Sequence, residues 1–234
     1  MTRTIAVFGA GSGLGLATAA RFVHAGFRVA LVGRTQSTLD AVAARIDGET
    51  RTFTADVTDH GRLAEVVAEI GPIDVLLSSA TGMDEVLARP VGLEVAALRS
   101  QLELRLVAPV ELTRLVLPSM LARGSGALLY ATGVSAIEPV PMISNIGAAA
   151  AGLRNYVHTV REELAGTGVY AGLLLVGGMV RGSEAQRRFM ADERVPMLDP
   201  RALAEDLWDM YTAGDQAERV VRPGVSEVAG MTRA

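Results

Sequence analysis

The run Phe8-Gly9-Ala10-Gly11-Ser12-Gly13-Leu14-Gly15 constrains this chain more than any other stretch of it. It follows Thr4-Ile5-Ala6-Val7-Phe8, an apolar run of strand length, and leads into Leu14, Ala17 and Phe22 at helical spacing. Glycines at a strand–turn–helix junction allow a tight turn and let the backbone come close to a pyrophosphate. The helix N-terminus meets that anion with free N–H groups and the positive end of its dipole. A spacing of Gly9-x3-Gly13-x-Gly15 in this context predicts a dinucleotide-binding unit, with Gly9, Gly11, Ser12, Gly13, Leu14 and Gly15 as its cradle.

The rest of the chain continues the same alternation. Apolar runs of strand length lie near 27–32, 51–55, 73–78, 126–131, 169–176 and, more weakly, 219–222. Segments of helical period lie near 13–25, 36–46, 59–70, 94–122, 144–165 and 200–213. That pattern predicts an α/β architecture: a Rossmann-like doubly wound parallel sheet of about seven strands with helices on both faces. Thr58-Asp59 and Asp199-Pro200 mark helix starts, and Pro109 falls as an irregularity inside one long crossover helix. At 234 residues the chain reads as one dinucleotide-binding domain over 1–234, with the charged, aperiodic segment 180–199 as a mobile substrate loop.

The second strand ends Val32-Gly33-Arg34-Thr35, where a fold specific for NAD would carry a carboxylate for the ribose 2′-hydroxyl. None is present. Arg34, with Thr35 and Ser12 nearby, offers charge-assisted bonds to a 2′-phosphate instead, so NADP(H) is expected over NAD(H).

Composition narrows the chemistry. There is no cysteine, and the three histidines, His24, His60 and His158, are scattered, so no metal site is expected. All 22 basic residues are arginine; with 26 acidic residues the net charge is −4, and no basic block points to nucleic acid. The longest apolar stretch, 170–180, is too short for a membrane helix, and the first residues read as a strand rather than a signal peptide. The cytosol is the expected compartment.

Taken together, these motifs resemble the short-chain dehydrogenase/reductase (SDR) family, and the resemblance covers nearly the whole chain. Gly9-x3-Gly13-x-Gly15 is similar to that family's phosphate loop, and Asp56-Val57-Thr58 to its adenine-binding Asp segment. Ser78-Ser79-Ala80-Thr81 stands at its Asn-Asn-Ala-Gly turn, Leu117-Pro118-Ser119-Met120 at the end of its crossover helix, and Gly177-Gly178-Met179-Val180 at its turn beneath the nicotinamide. The resemblance implies Asp56, Val57, Ser79, Ala80, Gly178 and Val180 as further cofactor contacts. It also implies an SDR-like domain that pairs as a homodimer or homotetramer, through the small-residue run 147–152.

The resemblance breaks at the chemistry. The family's Ser, Tyr, Lys and Asn positions fall on Gly133, Ile146, Ala150 and Arg105, and a chain without lysine cannot restore a Tyr-x3-Lys pair in any register. Hydride transfer to a carbonyl needs a positioned proton donor, which neither Gly133 nor Ile146 supplies. Tyr156 and His158 lie too far along their helix, and Tyr130 is expected to pack in the core. Arg105, Ser144 and Asn145 are the catalytic candidates, with Thr132 and Ser135 flanking the vacant serine position; Arg105 can equally pair with Glu138 or Glu103. Met83, Met179, Phe189 and Met190 suggest an apolar or mixed small-molecule ligand. Three functions fit: an NADP(H)-dependent oxidoreductase with a substitute acid, a cofactor-binding accessory module, or a non-redox cyclase, lyase or isomerase.

Overall fold

In the computed structural model, residues 2–81, 87–189 and 197–224 are described. The chain opens with β1 (Thr4–Phe8), α1 (Leu14–His24), β2 (Arg28–Gly33), α2 (Gln36–Ala43), β3 (Thr50–Thr54), α3 (His60–Ile70) and β4 (Val75–Ser78). It continues through α4 (Val95–Leu102), α5 (Ala108–Arg123), β5 (Gly126–Gly133), α6 (Ser144–Glu163) and β6 (Val169–Val176). The last elements are β7 (Met179–Val180), α7 (Glu184–Phe189), β8 (Met197–Leu198), α8 (Pro200–Ala213) and β9 (Glu218–Val221).

Seven strands form a parallel sheet in the order β3-β2-β1-β4-β5-β6-β9. Chain order reverses between β1 and β4, and there the C-terminal strand ends open the crevice in which such sheets bind ligands. Strand periodicity explains why the runs are continuously apolar: Ile5 and Val7 face one helix layer, Ala6 and Phe8 the other, and all four are fully buried. One layer packs Phe22 of α1, Leu39 of α2 and Leu207 of α8; the other packs Leu63 of α3, Leu112 of α5 and Val157 of α6. Asp59 caps α3 by accepting from the Arg62 N–H at 3.0 Å, and Asp199 accepts from the Arg201 N–H at 2.9 Å ahead of Pro200.

One expectation needs correction. The segment 94–122 is not one helix: α4 ends at Leu102, a π-helical turn runs over Glu103–Val107, and α5 begins just before Pro109. Proline has no N–H to offer the carbonyl of residue 105, so the helical ladder widens on the side N-terminal to it. The turn carries Arg105. Within 180–199, the described residues include α7 and the strand β8, which pairs in parallel with β7.

The small-residue run has contacts within the chain. A side chain at Gly147 would come within 3.3 Å of the Ser135 carbonyl, and one at Gly152 within 3.0 Å of Leu106. Smallness at these positions therefore serves the seating of α6 on its own neighbours. No helix among the described residues is long and apolar enough to cross a membrane.

Candidate functional site

At the switch between β1 and β4 lies a cleft of about 590 Å³, a size suited to a cofactor with a small ligand. Its first wall is the glycine loop. Gly9 has φ +101°, and a Cβ there would sit 2.6 Å from the Ala80 nitrogen. The loop thus closes directly on Ser79 and Ala80, whose segment is held by the Ser79 N–H donating to the Phe8 carbonyl at 2.9 Å. At Gly15 a Cβ would meet the Gly9 carbonyl at 2.5 Å, so loop and helix can pack only with hydrogen at this position. Gly11 is different: nothing lies within 4 Å of the place its side chain would take. No side chain caps α1 and no acid occupies its first turn; the Leu16 N–H turns back to the Gly11 carbonyl at 3.0 Å, and the positive end of the helix dipole faces the cleft. These features fit a pyrophosphate.

The second wall is set by the ends of β2 and β3. Arg34 and Thr35 line the cleft beside Asp56 and Val57. Partial burial pushes the Asp56 carboxyl up, but the N–H and hydroxyl of Thr58, at 2.9 and 2.8 Å, and the charge of Arg34 bring it below the ordinary aspartate value. Asp56 is therefore an anchored acceptor. Every cofactor residue expected from the sequence lines this one cleft, from Gly9 and Gly11 through Gly178 and Val180.

The far end forms a chamber walled by Leu104, Arg105, Thr132, Gly133, Ile143, Ile146 and Met179. Arg105 is aimed by its own helix: its Nε donates to the Gln101 side-chain oxygen at 2.8 Å, and Gln101 is almost fully buried. Gln101 was missed in the sequence, although it stands one helical turn before Arg105, at the spacing where side chains meet. The acids expected near Arg105 are engaged elsewhere, Glu138 with Arg222 and Glu103 with His60 at 2.9 Å. Gly133 also has a local reason. Its Cβ would lie 3.3 Å from Ser135 Oγ, a buried hydroxyl with no hydrogen-bond partner among the described residues.

Two catalytic candidates stand apart from the residues that line the cleft. Neither Ser144 nor Asn145 lines the cleft. Ser144 donates its hydroxyl to the Ala88 carbonyl at 2.8 Å, and its N–H to the same oxygen at 3.1 Å, so it ties the start of α6 to the chain before α4. Asn145 is fully buried. The tyrosines are no better placed: Tyr130 is fully buried against Thr113, and burial raises its phenol well above the ordinary tyrosine value. His158 pairs with Glu218 at 2.8 Å on the outer side of α6. Of the apolar ligand contacts expected, Met179 lines the chamber, Met83 and Met190 lie outside the described residues, and the same holds for the side chain of Phe189.

One contact had no local signal in the sequence. The segment Gly182–Phe189 lies against the glycine loop, with Ser12 Oγ donating to the Gly182 carbonyl at 2.8 Å. A Cβ on Gly13 would meet that of Ser183 at 3.0 Å, so Gly13 admits this segment as well as serving the turn.

Comparison with known proteins agrees with this architecture. Residues 3–193 match the family model described as short chain dehydrogenase. The ketoacyl reductase HetN of Nostoc is 31% identical over 211 residues, covering 86% of this chain and 72% of that protein. A short chain dehydrogenase of Pseudocercospora fijiensis is 30% identical over 186 residues, 76% of this chain, and this chain spans only 60% of its length. Among solved structures, a short chain oxidoreductase from Pseudomonas aeruginosa containing an atypical catalytic centre matches in its apo form with a TM-score of 0.84 at 21% identity, covering 95% of this chain and 97% of that one. Its NADPH-bound form matches with a TM-score of 0.82 at 22% identity, covering 96% and 98%. At that identity the likeness is one of fold.

Proposed function

Because this chain belongs to the short-chain dehydrogenase family, whose members bind nicotinamide dinucleotides, we propose that it binds NADP(H) in the cleft between β1 and β4. The cradle would be Gly9, Gly11, Ser12, Gly13, Leu14 and Gly15, with Asp56 and Val57 at the adenine and Ser79, Ala80, Gly178 and Val180 along the nicotinamide half. The observation that carries NADP(H) over NAD(H) is Arg34, with Thr35, at the end of β2, where no carboxylate stands to meet a free 2′-hydroxyl. A bound dinucleotide of this kind supplies a hydride at the nicotinamide.

What this chain's residues do with a ligand beside it is less usual. The chamber offers Ile146 and Gly133 where the family carries a proton donor and its partner, and Ala150, fully buried, where it carries lysine. This arrangement argues against carbonyl reduction of the ordinary kind. Arg105, aimed by Gln101, is suited to hold an anionic or oxygen-rich group of a small molecule against apolar walls, which also favours a second reading, a non-redox reaction that needs charge and shape rather than a proton relay.

Titration of cofactor-stripped protein with NADPH and separately NADH, followed by calorimetry or nicotinamide fluorescence, tests the proposal. NADPH is expected to bind in the micromolar range, with Arg34→Ala weakening NADPH by about tenfold and NADH by less than about twofold. Failure of both cofactors to bind would overturn it.

A further inference from the structure

The segment Gly182–Phe189 brings a guanidinium to Ser12 of the glycine loop, beside the cleft. Arg187 donates through Nη1 to the Gly182 carbonyl at 2.8 Å and through Nη2 to Ser12 Oγ at 3.2 Å. The segment is braced from within: the Gly182 N–H donates to the Gln186 side-chain oxygen at 2.6 Å, and the Gln186 N–H to Ser183 Oγ at 3.1 Å. Ser183 can sit this close only because Gly13 has no side chain. The arrangement therefore joins two parts of the chain, 175 residues apart at the Ser12–Arg187 contact, around the cradle at the start of α1.

We propose that Arg187 is a cofactor-binding residue that clamps the pyrophosphate of the dinucleotide against the glycine loop. The inference rests on the reading that this cleft takes NADP(H), and it adds a contact distinct from Arg34. Three points lead to it. Its present acceptors, Ser12 Oγ and the Gly182 carbonyl, are both neutral, and a phosphate oxygen beside them makes the shorter, roughly twofold stronger charge-assisted bond. Among the described residues, two of the five N–H groups of this guanidinium are engaged, so the others can take phosphate oxygens without breaking the brace. Last, α1 meets its ligand with no charged side chain of its own first turn, and a chain without lysine can add a fixed positive charge at that point only with arginine. Arg34 stands at the other wall, beside Asp56.

The division of labour makes the test specific, because the pyrophosphate is common to both cofactors and the 2′-phosphate is not. Full-length Arg187→Ala is expected to weaken NADPH and NADH alike, by about tenfold at low ionic strength. The loss should shrink as salt is raised, since it is a loss of charge attraction at an exposed site. Arg187→Lys, which keeps the charge without the fork, should recover part of the affinity. A loss confined to NADPH would mean that Arg187 reads the 2′-phosphate and would overturn the assignment. So would an unchanged affinity, or a loss that does not vary with salt, which marks a residue that merely braces the segment. In each of these cases NADPH still binds the unaltered chain, so the proposed function stands; if neither cofactor binds that chain, both readings fall together.

Discussion

Replacing Tyr130 by Phe separates a structural tyrosine from a chemical one. Tyr130 is fully buried in β5, with its phenol oxygen 2.6 Å from Thr113 Oγ1 on α5, and Thr113 Oγ1 lies 2.7 Å from the Pro109 carbonyl. A carbonyl can only accept, so the single proton of Thr113 goes to Pro109 and the phenol must donate to Thr113. The pair thereby ties β5 to the first turn of α5, next to the π-helical turn that carries Arg105. Removing the phenol oxygen deletes one buried neutral hydrogen bond while leaving Thr113 its own bond to Pro109. The expected cost is about 1–2 kcal/mol.

For a chain of this size, about 2–4 °C per kcal/mol turns that cost into a fall of about 2–8 °C in Tm. Far-UV circular dichroism melts and urea unfolding, with an unchanged m value, would measure it. Thr113→Val removes the same link, so the double variant should be less destabilised than the sum of the singles, by about 1 kcal/mol. NADPH affinity should not change. A Tyr130→Phe protein that keeps its stability yet loses a turnover shown by the unaltered chain would refute the reasoning, because the phenol would then be serving the reaction. Additivity of the two substitutions would refute the bond itself.

Other substitutions probe the cradle and the sheet edge. Gly15→Ala places a Cβ 2.5 Å from the Gly9 carbonyl and 3.0 Å from the Ala10 Cα, both backbone, and should cost about 1–3 kcal/mol in a urea titration. Gly11→Ala, with nothing within 4 Å, should leave the urea midpoint in place while weakening NADPH, because the new methyl group enters the space kept for the ligand. Glu218 on β9 is held below the ordinary glutamate value by Arg154 at 2.7 Å and His158 at 2.8 Å, against the opposing effect of partial burial. A depressed folded-state pKa stabilises above the unfolded value and ceases to do so as pH falls through the folded one. Urea midpoints of the unaltered chain and Glu218→Gln should therefore differ at neutral pH and converge in acid; parallel curves would show that the pair adds nothing.

How far the sequence could be read depended on whether a feature was local. The glycine spacing, the strand alternation around Ile5–Phe8 and the Asp59 and Asp199 caps each act within a few residues, and the structure keeps all of them. Pro109 was visible as an irregularity, but its effect, a widening of the ladder into a π-helical turn over Glu103–Val107, was not. The hydroxyl of Ser144 donates to the carbonyl of Ala88, 56 residues earlier, and no spacing rule reports that contact. The second role of Gly13 was hidden for the same reason, since its neighbour Ser183 belongs to a segment that meets the loop only in the folded chain.

The absence of lysine is more telling in the structure than in the sequence. Arg34 and Arg105 both line the cleft, and Arg187 reaches the glycine loop from beside it, so positive charge is present along its length. A guanidinium is never deprotonated in a protein, so these residues can bind and orient anions but cannot lend a proton near neutral pH. A lysine can do both, and so can a tyrosine whose phenol is brought down by one. Here the phenol of Tyr130 is instead pushed up by burial and committed to Thr113, and Ile146 faces the chamber. On the proposed reading the cleft holds anionic groups through guanidinium side chains, while the lysine and the accessible tyrosine that serve proton transfer in the family have no counterpart among the residues lining it.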